Sequence, residues 1–482
     1  MRKITFIFFY LFTLFSFSQE FDHYLDFKLK RDREVFQIVN KSNTNFNLFL
    51  IDKKKVNSLI IDRNFKLVDS VATDRPKKEF TDIIGNSGDF ENPTIYWSNE
   101  YKNLICAQKF DLKTKEVKKI YFENIFNQQE EFYLNSFTTD HKFFIITIDR
   151  KNSLRIYEFF QNTMKGFVFN LSNEKFYDSD KKNVSLNWLF DIYNGDLRLF
   201  EDSNTIEKVE NNTFVDLSIS AKKRKFYCEN NELIITLDFC NELTQIIKIN
   251  LETKTIAHFD IEKPKLKVTD LKSVKSNSFL IDNKIFQLVV NNEQLILSCK
   301  KISGEILNEY IINESDAFNI NNTPFVIENI NESERELKST SQFLRKINRS
   351  NIGISAFKID GDFVVTLGSV SAETPEHFNN SFISNNMFGF NSNANFANYN
   401  YYFYNYNRYK NRRTISTICL FDNQIKHINS DVKEFTFDKI NNFEKNFNHE
   451  ISGTTIFEFN NNTVYGFYDI VRQIYCFKKF NK

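Results

Sequence analysis

A strand–turn–strand unit that recurs along the chain constrains its fold more than any other feature. The clearest copy is Glu232–Ile261, in which short β-branched and aromatic runs are separated by polar turns. A second copy, LICAQKFDLKTKEVKKIYF, begins at Leu104, and its Asp111 stands where Asn250 stands in the first copy. Both side chains suit a tight turn, because they accept hydrogen bonds from backbone amides two residues on. The pattern predicts an all-β protein built from repeated hairpins.

Further turn signals of the same kind recur between Asp62 and Ser303, and again at Asp422 and Asn461. Their spacing, roughly 40–50 residues with about four strands per period, resembles the blades of β-propellers. The resemblance implies one domain over residues 19–482 with seven or eight four-stranded blades. It indicates no functional family, since neither a WD dipeptide nor a Gly-Gly pair marks the repeats. Two β-sandwich-like domains and a β-solenoid remain alternatives.

The N-terminus has the pattern of a secretory signal peptide. Arg2 and Lys3 precede the largely apolar run Ile4–Phe17, and Ser16 and Ser18 supply small residues for cleavage. We therefore predict a signal peptide over residues 1–18 and an exported chain, destined for the periplasm, the outer surface or the extracellular space. No later segment is apolar for long enough to predict a transmembrane helix.

The charge balance bears on nucleic-acid binding, and the cysteine pattern bears on disulfide bonds. The chain has 63 Lys and Arg against 62 Asp and Glu, so no excess charge predicts a nucleic-acid partner. The six cysteines form no CxxC motif, and several lie inside apolar β-runs. They are interpreted either as buried free thiols or as one or two disulfides, for which Cys228 with Cys240 is the first pair to test.

Two stretches interrupt the β pattern. Ser333–Arg349 is predicted to be a helix in a blade connection, the one true helix of the mature chain, because Ser333 and Glu336 form a capping box. Asn379–Arg413 is a low-complexity insertion, predicted to project from one face as a binding platform or to be a partly ordered loop of biased composition. Its tyrosines suit stacking on sugar rings or anchoring a protein, and its arginines suit phosphate or acidic polysaccharide. The candidate binding residues are Tyr399, Tyr401, Tyr402, Tyr404, Tyr406, Arg408, Tyr409 and Arg412.

Motifs of catalysis and metal binding are absent from the sequence. The six histidines are scattered, and the calcium-loop pattern begun by Asp178 fails because Lys182 stands where an oxygen ligand is needed. We predict no catalytic residue, metal or cofactor. The predicted function is a protein- or glycan-binding scaffold with an unknown partner. The alternatives are a hydrolase or lyase acting on glycans or peptides at the channel mouth, and a structural component of the envelope.

Overall fold

The computed structural model describes residues 21–31, 33–139, 141–190, 205–211, 213–267, 273–330, 333–371 and 398–481. The predicted signal peptide and the first half of the predicted insertion lie outside these residues.

The chain divides into two compact units: Met1–Arg75 with Glu434–Lys482, and Pro76–Lys433. The strands are, in chain order, β1 (His23–Leu25), β2 (Glu34–Val39), β3 (Asn45–Ile51), β4 (Lys55–Asp62), β5 (Leu67–Asp74), β6 (Asp82–Ser87), β7 (Thr94–Ser98), β8 (Ile105–Asp111), β9 (Glu116–Phe122), β10 (Glu131–Thr139), β11 (Lys142–Asp149), β12 (Ser153–Phe160), β13 (Thr163–Asn170), β14 (Phe176–Tyr177), β15 (Asn183–Val184), β16 (Glu207–Val209), β17 (Arg224–Glu229), β18 (Glu232–Leu237), β19 (Leu243–Asn250), β20 (Thr255–Glu262), β21 (Lys275–Ile281), β22 (Lys284–Val290), β23 (Gln294–Lys301), β24 (Ile306–Asn313), β25 (Phe325–Glu328), β26 (Arg335–Leu337), β27 (Asn351–Ile359), β28 (Asp362–Val370), β29 (Thr414–Phe421), β30 (Ile451–Phe459), β31 (Asn462–Asp469) and β32 (Ile474–Asn481). The helices are α1 (Leu186–Leu189), α2 (Leu217–Ser220), α3 (Thr340–Ile347), α4 (Tyr401–Lys410) and α5 (Thr436–Asn446).

The first unit holds two four-stranded antiparallel sheets, β2-β3-β4-β5 and β1-β32-β31-β30. Strand β1, from the beginning of the described chain, pairs with β32 at its end, in a register that sets His23 opposite Phe477. The two sheets share an apolar core in which the fully buried Phe46 packs against Phe457 and Phe477 at ring-centroid distances of 4.9 Å and 5.8 Å. Phenylalanine thus fills the core, which the abundance of this residue in the chain allows.

The second unit contains five further sheets of four or five strands and the short ribbon β14-β15. Four-stranded sheets are formed by β6-β7-β8-β9, β10-β11-β12-β13 and β21-β22-β23-β24, and five-stranded sheets by β16-β17-β18-β19-β20 and β26-β25-β29-β28-β27. All of their pairings are antiparallel except that of β16 with β17. The predicted all-β class is confirmed, and the recurring four-stranded sheet agrees with the predicted strand count per repeat.

The turn chemistry predicted from the repeat is also confirmed. The Asp111 side chain accepts hydrogen bonds from the amides of Lys113 and Thr114 at 3.0 Å and 2.9 Å. Asn250 does the same for its own turn, accepting from Glu252 and Thr253 at 2.9 Å and 2.8 Å. Each turn joins the last two strands of its sheet, β8 to β9 and β19 to β20.

The predicted helix over Ser333–Arg349 is wrong in its bounds. Residues from Arg335 to Leu337 form β26, which pairs with β25, and helix α3 begins only at Thr340. Its N-cap is Ser339, whose hydroxyl accepts a hydrogen bond from the Gln342 amide at 3.3 Å. The sequence contains two capping-box patterns, one that begins at Ser333 and one that begins at Ser339. The first does not start a helix, because strand β26 forms there. The expectation of a single helix is also wrong, since α4 and α5 span 10 and 11 residues.

All six cysteines are free, and five of them are buried. The interpretation as buried thiols therefore holds for those five, while Cys228 is half-buried and forms no disulfide with Cys240. None of the helices in the described ranges is long and apolar enough to cross a membrane.

A buried charged cluster lies in the second unit where β17, β18 and β21 meet. The Asp238 carboxylate forms ion pairs with the ammonium groups of Lys225 and Lys263, each at 3.0 Å, and all three side chains are fully buried. Thr244 and Ser278 add hydroxyl donors at 3.1 Å and 2.8 Å. Burial alone raises the pKa of Asp238, but the two ammonium groups outweigh it and hold that pKa well below its ordinary value.

Candidate functional site

A cleft of about 480 Å³ lies in the second unit between the sheets β6–β9 and β10–β13. Its position follows from the alternation of side chains along three paired strands. Tyr96 on β7 stands opposite Ala107 on β8, which stands opposite Ile120 on β9. Residues that face each other across a strand pair share one side of the sheet. This row therefore forms one wall of the cleft.

Aromatic rings form the floor of the cleft. Tyr96 stacks on Phe143 of the facing sheet with a centroid distance of 4.1 Å and an angle of 15°. Phe159 meets Phe122 edge to face at 5.2 Å and lies 5.8 Å from Tyr96. Aromatic side chains are flat and apolar, and they lose little conformational entropy when a ligand binds.

Two small residues, Gly85 and Ala107, leave room for the cleft and its aromatic floor. Gly85, opposite Tyr96 on β6, has no side chain, and a Cβ there would lie 2.5 Å from the Phe143 ring. The glycine therefore lets Phe143 reach the position in which it stacks on Tyr96. Ala107 leaves the centre of the wall open, because its methyl group stands where the neighbouring positions carry a tyrosine and an isoleucine.

Backbone hydrogen bonds hold the rim in place. The Gly88 amide donates to the His141 carbonyl oxygen at 3.3 Å, and Nδ1 of His141 lies 2.9 Å from the Gly88 carbonyl oxygen. Gly88 has a φ of +87°, and a Cβ there would lie 2.2 Å from the carbonyl oxygen of Asn92. Only glycine fits this point of the rim. Since a carbonyl oxygen accepts only, Nδ1 of His141 carries the proton and Nε2 is left for other contacts.

Polar groups surround the aromatic floor. The lining side chains include one carboxylate, Asp89, one lysine, Lys109, and one imidazole, His141. Asp89 is engaged by its own loop, where its Oδ1 accepts from the Asn92 amide at 2.7 Å. The Tyr96 hydroxyl accepts from Ser87 Oγ at 3.1 Å, and burial raises the pKa of Tyr96 to about 12. Tyr96 is therefore a neutral phenol near pH 7.

This set of groups combines aromatic and polar side chains that are suited to holding a ligand. The cleft has no pair of carboxylates, and its one carboxylate is committed to a loop. Within the described ranges, no group of three or more His, Cys, Asp or Glu side chains is arranged to hold a metal ion. A flat ligand of moderate size would be held by ring contacts and oriented by the polar rim.

The candidate binding residues from the sequence lie elsewhere in the second unit, in an interior segment that we define as Asn398–Arg413. Instead of projecting, this segment forms helix α4 and packs against α2. The side chains of Tyr401, Tyr404, Tyr406 and Tyr409 are buried, and those of Tyr399, Tyr402, Arg408 and Arg412 are half-buried.

Hydrogen bonds tie the interior segment to strands far away in the chain. Asn398 donates to Asn135 Oδ1 at 2.9 Å and to Ser136 Oγ at 2.7 Å. The Tyr404 hydroxyl donates to Glu207 at 2.9 Å. Asn405 accepts from the Asp216 amide at 3.0 Å. The prediction of an exposed tyrosine platform is wrong here, because the four buried rings have no free face to stack on a sugar.

Arg412 closes the interior segment against two acids. It pairs with Glu328 and lies 3.9 Å from Asp216, and its guanidinium stacks 3.7 Å from the centre of the Tyr409 ring. Burial lowers the pKa of this guanidinium, but Tyr409, Glu328 and Asp216 outweigh it and raise the pKa above its ordinary value. The arginine is thus an internal anchor rather than a surface group for phosphate.

No family model matches the chain, and no curated protein matches it. Among solved structures, it is similar to cobalt-substituted Synechocystis apocarotenoid oxygenase (ACO), with a TM-score of 0.29, 8% identity, and coverage of 59% of this chain and 62% of that one. It is also similar to an ACO/RPE65 chimera, with a TM-score of 0.28, 9% identity, and coverage of 59% and 62%. The chain thus spans less than two thirds of these structures, and a likeness at this level carries no activity to it.

The predicted function is corrected. The solved structures named above are described as an apocarotenoid oxygenase and an ACO/RPE65 chimera, a class that the sequence analysis did not consider. A protein- or glycan-binding scaffold, a hydrolase or lyase of glycans or peptides, and an envelope component are withdrawn. The burial of the interior segment removes the platform on which the binding hypothesis depended.

Sequence reasoning missed the residues of the cleft. The signal is present in the alternation Ile105-x-Ala107-x-Lys109, in which one side of the strand changes from apolar to charged. That change indicates where a packed face meets solvent. It gave no indication of a cleft, because the facing Phe143 and Phe159 belong to a different sheet.

Proposed function

We propose that the chain is a small-molecule-binding protein, and that its ligand has a flat apolar body which binds in the cleft between β6–β9 and β10–β13. The observation that carries this proposal is the combination of an aromatic floor, Tyr96, Phe122 and Phe159, with a polar rim around a space of about 480 Å³. Ligand pockets in proteins have this composition and fall in the range of roughly 300–1,000 Å³.

Stacking would supply most of the affinity. A ligand ring that covers the half-buried Ile120 and Phe122 exchanges water-exposed apolar area for contacts with these side chains, which favours binding in proportion to the area covered. The floor does not need to rearrange, since Tyr96 is already stacked on Phe143 and hydrogen-bonded to Ser87. A preformed site of this kind loses little conformational entropy on binding.

We further propose that the seven sheets of four or five strands among the described residues are the blades of a seven-bladed β-propeller. Support comes from the recurring four-stranded meander and from β1, which joins the sheet of β30–β32. Pairing of an N-terminal strand with C-terminal strands would close a ring and leave no free sheet edge at the ends of the chain. Export of the chain, which the pattern of residues 1–18 favours, is part of the same proposal.

Replacing Ala107 with leucine is expected to block the cleft. The added carbons would extend from the centre of the wall into the open space beside Tyr96 and Ile120. Titration with N-phenyl-1-naphthylamine, a neutral aromatic probe that fluoresces in apolar surroundings, should show saturable binding of one probe per wild-type chain. The variant should bind at least about tenfold more weakly, the equivalent of about 1.4 kcal/mol.

The matched control is Ala257→Leu, which makes the same change at an exposed position on β20. This variant should bind the probe like the wild type, and thermal unfolding should show that both variants remain folded. Equal binding by Ala107→Leu and the wild type would contradict the proposal, and so would the absence of saturable binding to the wild type.

A further inference from the structure

We infer that Lys109 makes the cleft selective for organic anions, so that the ligand is a flat apolar ring system that carries a carboxylate, sulfonate or phosphate group. This inference rests on the proposed function and specifies the class of ligand. Lys109 belongs to the row next to Ala107, where it stands opposite Thr94 on one side and Lys118 on the other. Its ammonium group is therefore placed one row beyond the aromatic floor, at the rim.

The environment of Lys109 favours an incoming anion. Its side chain is half-buried, lines the cleft, and has no ion pair or hydrogen bond to any residue in the described ranges. Most other half-buried lysines of the second unit have such a partner: Lys254 pairs with Glu158 at 2.7 Å and Lys248 with Glu232 at 2.8 Å. A partly desolvated ammonium gains more from a charged partner than an exposed one does.

Neighbouring charges do not satisfy this lysine. Asp89 is the one carboxylate that lines the cleft, and its Oδ1 accepts a hydrogen bond from the Asn92 amide. Lys118, which is exposed, lies 3.7 Å from Glu116 on its own strand and does not line the cleft. Neither Asp89 nor Glu116 is thus paired with the Lys109 ammonium group in the described part of the chain.

The remaining rim groups are compatible with an oxyanion. Thr94, Asn92 and Asn162 add hydroxyl and amide donors to the lining. Charge-assisted hydrogen bonds from an ammonium to such an oxyanion are about twice as strong as neutral ones.

Two probes with the same aromatic body test the inference. N-phenyl-1-naphthylamine is neutral, and 8-anilino-1-naphthalenesulfonate carries one sulfonate on the same ring system. The wild type is expected to bind the sulfonate about tenfold more tightly than the neutral probe, because one charge-assisted contact is added. Lys109→Met should remove this preference, so that the two probes bind this variant with affinities within about twofold of each other.

The matched control is Lys118→Met, which removes the same charge from the same row at a position outside the cleft. It should keep the wild-type preference for the sulfonate, since exposed charges are screened by salt. An equal loss in both lysine variants, or an unchanged preference in Lys109→Met, would overturn the selectivity while leaving the small-molecule site in place. If the wild type binds neither probe saturably, the proposed function fails and this inference fails with it.

Discussion

Replacing Asp238 with asparagine is expected to lower the free energy of unfolding by about 3–5 kcal/mol, because it removes the carboxylate from a buried ion cluster. The ammonium groups of Lys225 and Lys263 each lie 3.0 Å from that carboxylate, and both lysine side chains are fully buried. An asparagine would keep the size of the side chain and lose its charge. Its amide would also point hydrogen-bond donors at groups that themselves donate, including the Ser278 hydroxyl.

Denaturant unfolding of the full chain at pH 7 measures this loss. Asp180→Asn is the matched control, because Asp180 pairs with Lys182 at 3.3 Å on the surface, where both side chains are exposed. Exposed pairs contribute little, so no measurable loss is expected from the control. If Asp238→Asn were as stable as the control, the buried cluster would not have the role that its geometry indicates.

The effect of Asp238→Asn is expected to depend on pH in one direction. The pKa of Asp238 is held below its ordinary value in the folded state, chiefly by Lys263 and Lys225 against the opposing effect of burial. A carboxylate of this kind contributes stability that is fully present above its unfolded pKa, about 3.9, and is lost as the pH falls toward the folded pKa. The difference between wild type and variant should therefore be constant from about pH 5 to pH 7 and shrink below about pH 4.

Replacing Tyr406 with alanine is expected to lower the free energy of unfolding by about 3–5 kcal/mol, the usual loss for a large buried aromatic residue. Tyr406 is among the largest fully buried side chains and lies on α4 in the interior segment. Its ring centroid is 6.4 Å from that of Phe403 on the same helix. Truncation would leave a cavity that the surrounding sheets cannot close, because they are held by their own ladders.

Tyr402→Ala is the matched control on the same helix, since Tyr402 is half-buried. Its truncation should cost clearly less than that of Tyr406, and denaturant unfolding of both variants measures the difference. Equal and small losses would mean that the helix is dispensable for folding. The insertion would then behave as the surface loop that the sequence alone favoured.

The repeat unit was readable from the sequence because its signals are local. Asp111 and Asn250 make their turns with amides two and three residues on, so the pattern and the bonds coincide. The start of α3 was misplaced because Ser333 and Ser339 both begin capping boxes. The choice between them depends on β25, which pairs with Arg335–Leu337 and draws that segment into a sheet.

The interior segment and the cleft were beyond prediction for a different reason. Asn398 and Asn405 form hydrogen bonds with Asn135 and Asp216, which lie 263 and 189 residues earlier in the chain, and no local pattern indicates such contacts. Composition suggested a solvent-facing loop, whereas the tertiary partners bury it. In the sequence, Lys109 is one of many lysines on predicted strands. It lines a cleft only because a second sheet faces its own.

A crystal structure of the wild-type protein with 8-anilino-1-naphthalenesulfonate would test the small-molecule site most directly. We expect the naphthalene ring to lie against the half-buried Ile120 and Phe122, between the sheets β6–β9 and β10–β13. Its sulfonate should be within hydrogen-bonding distance of Lys109 Nζ. Probe density at another surface, with this cleft left to solvent, would contradict the account.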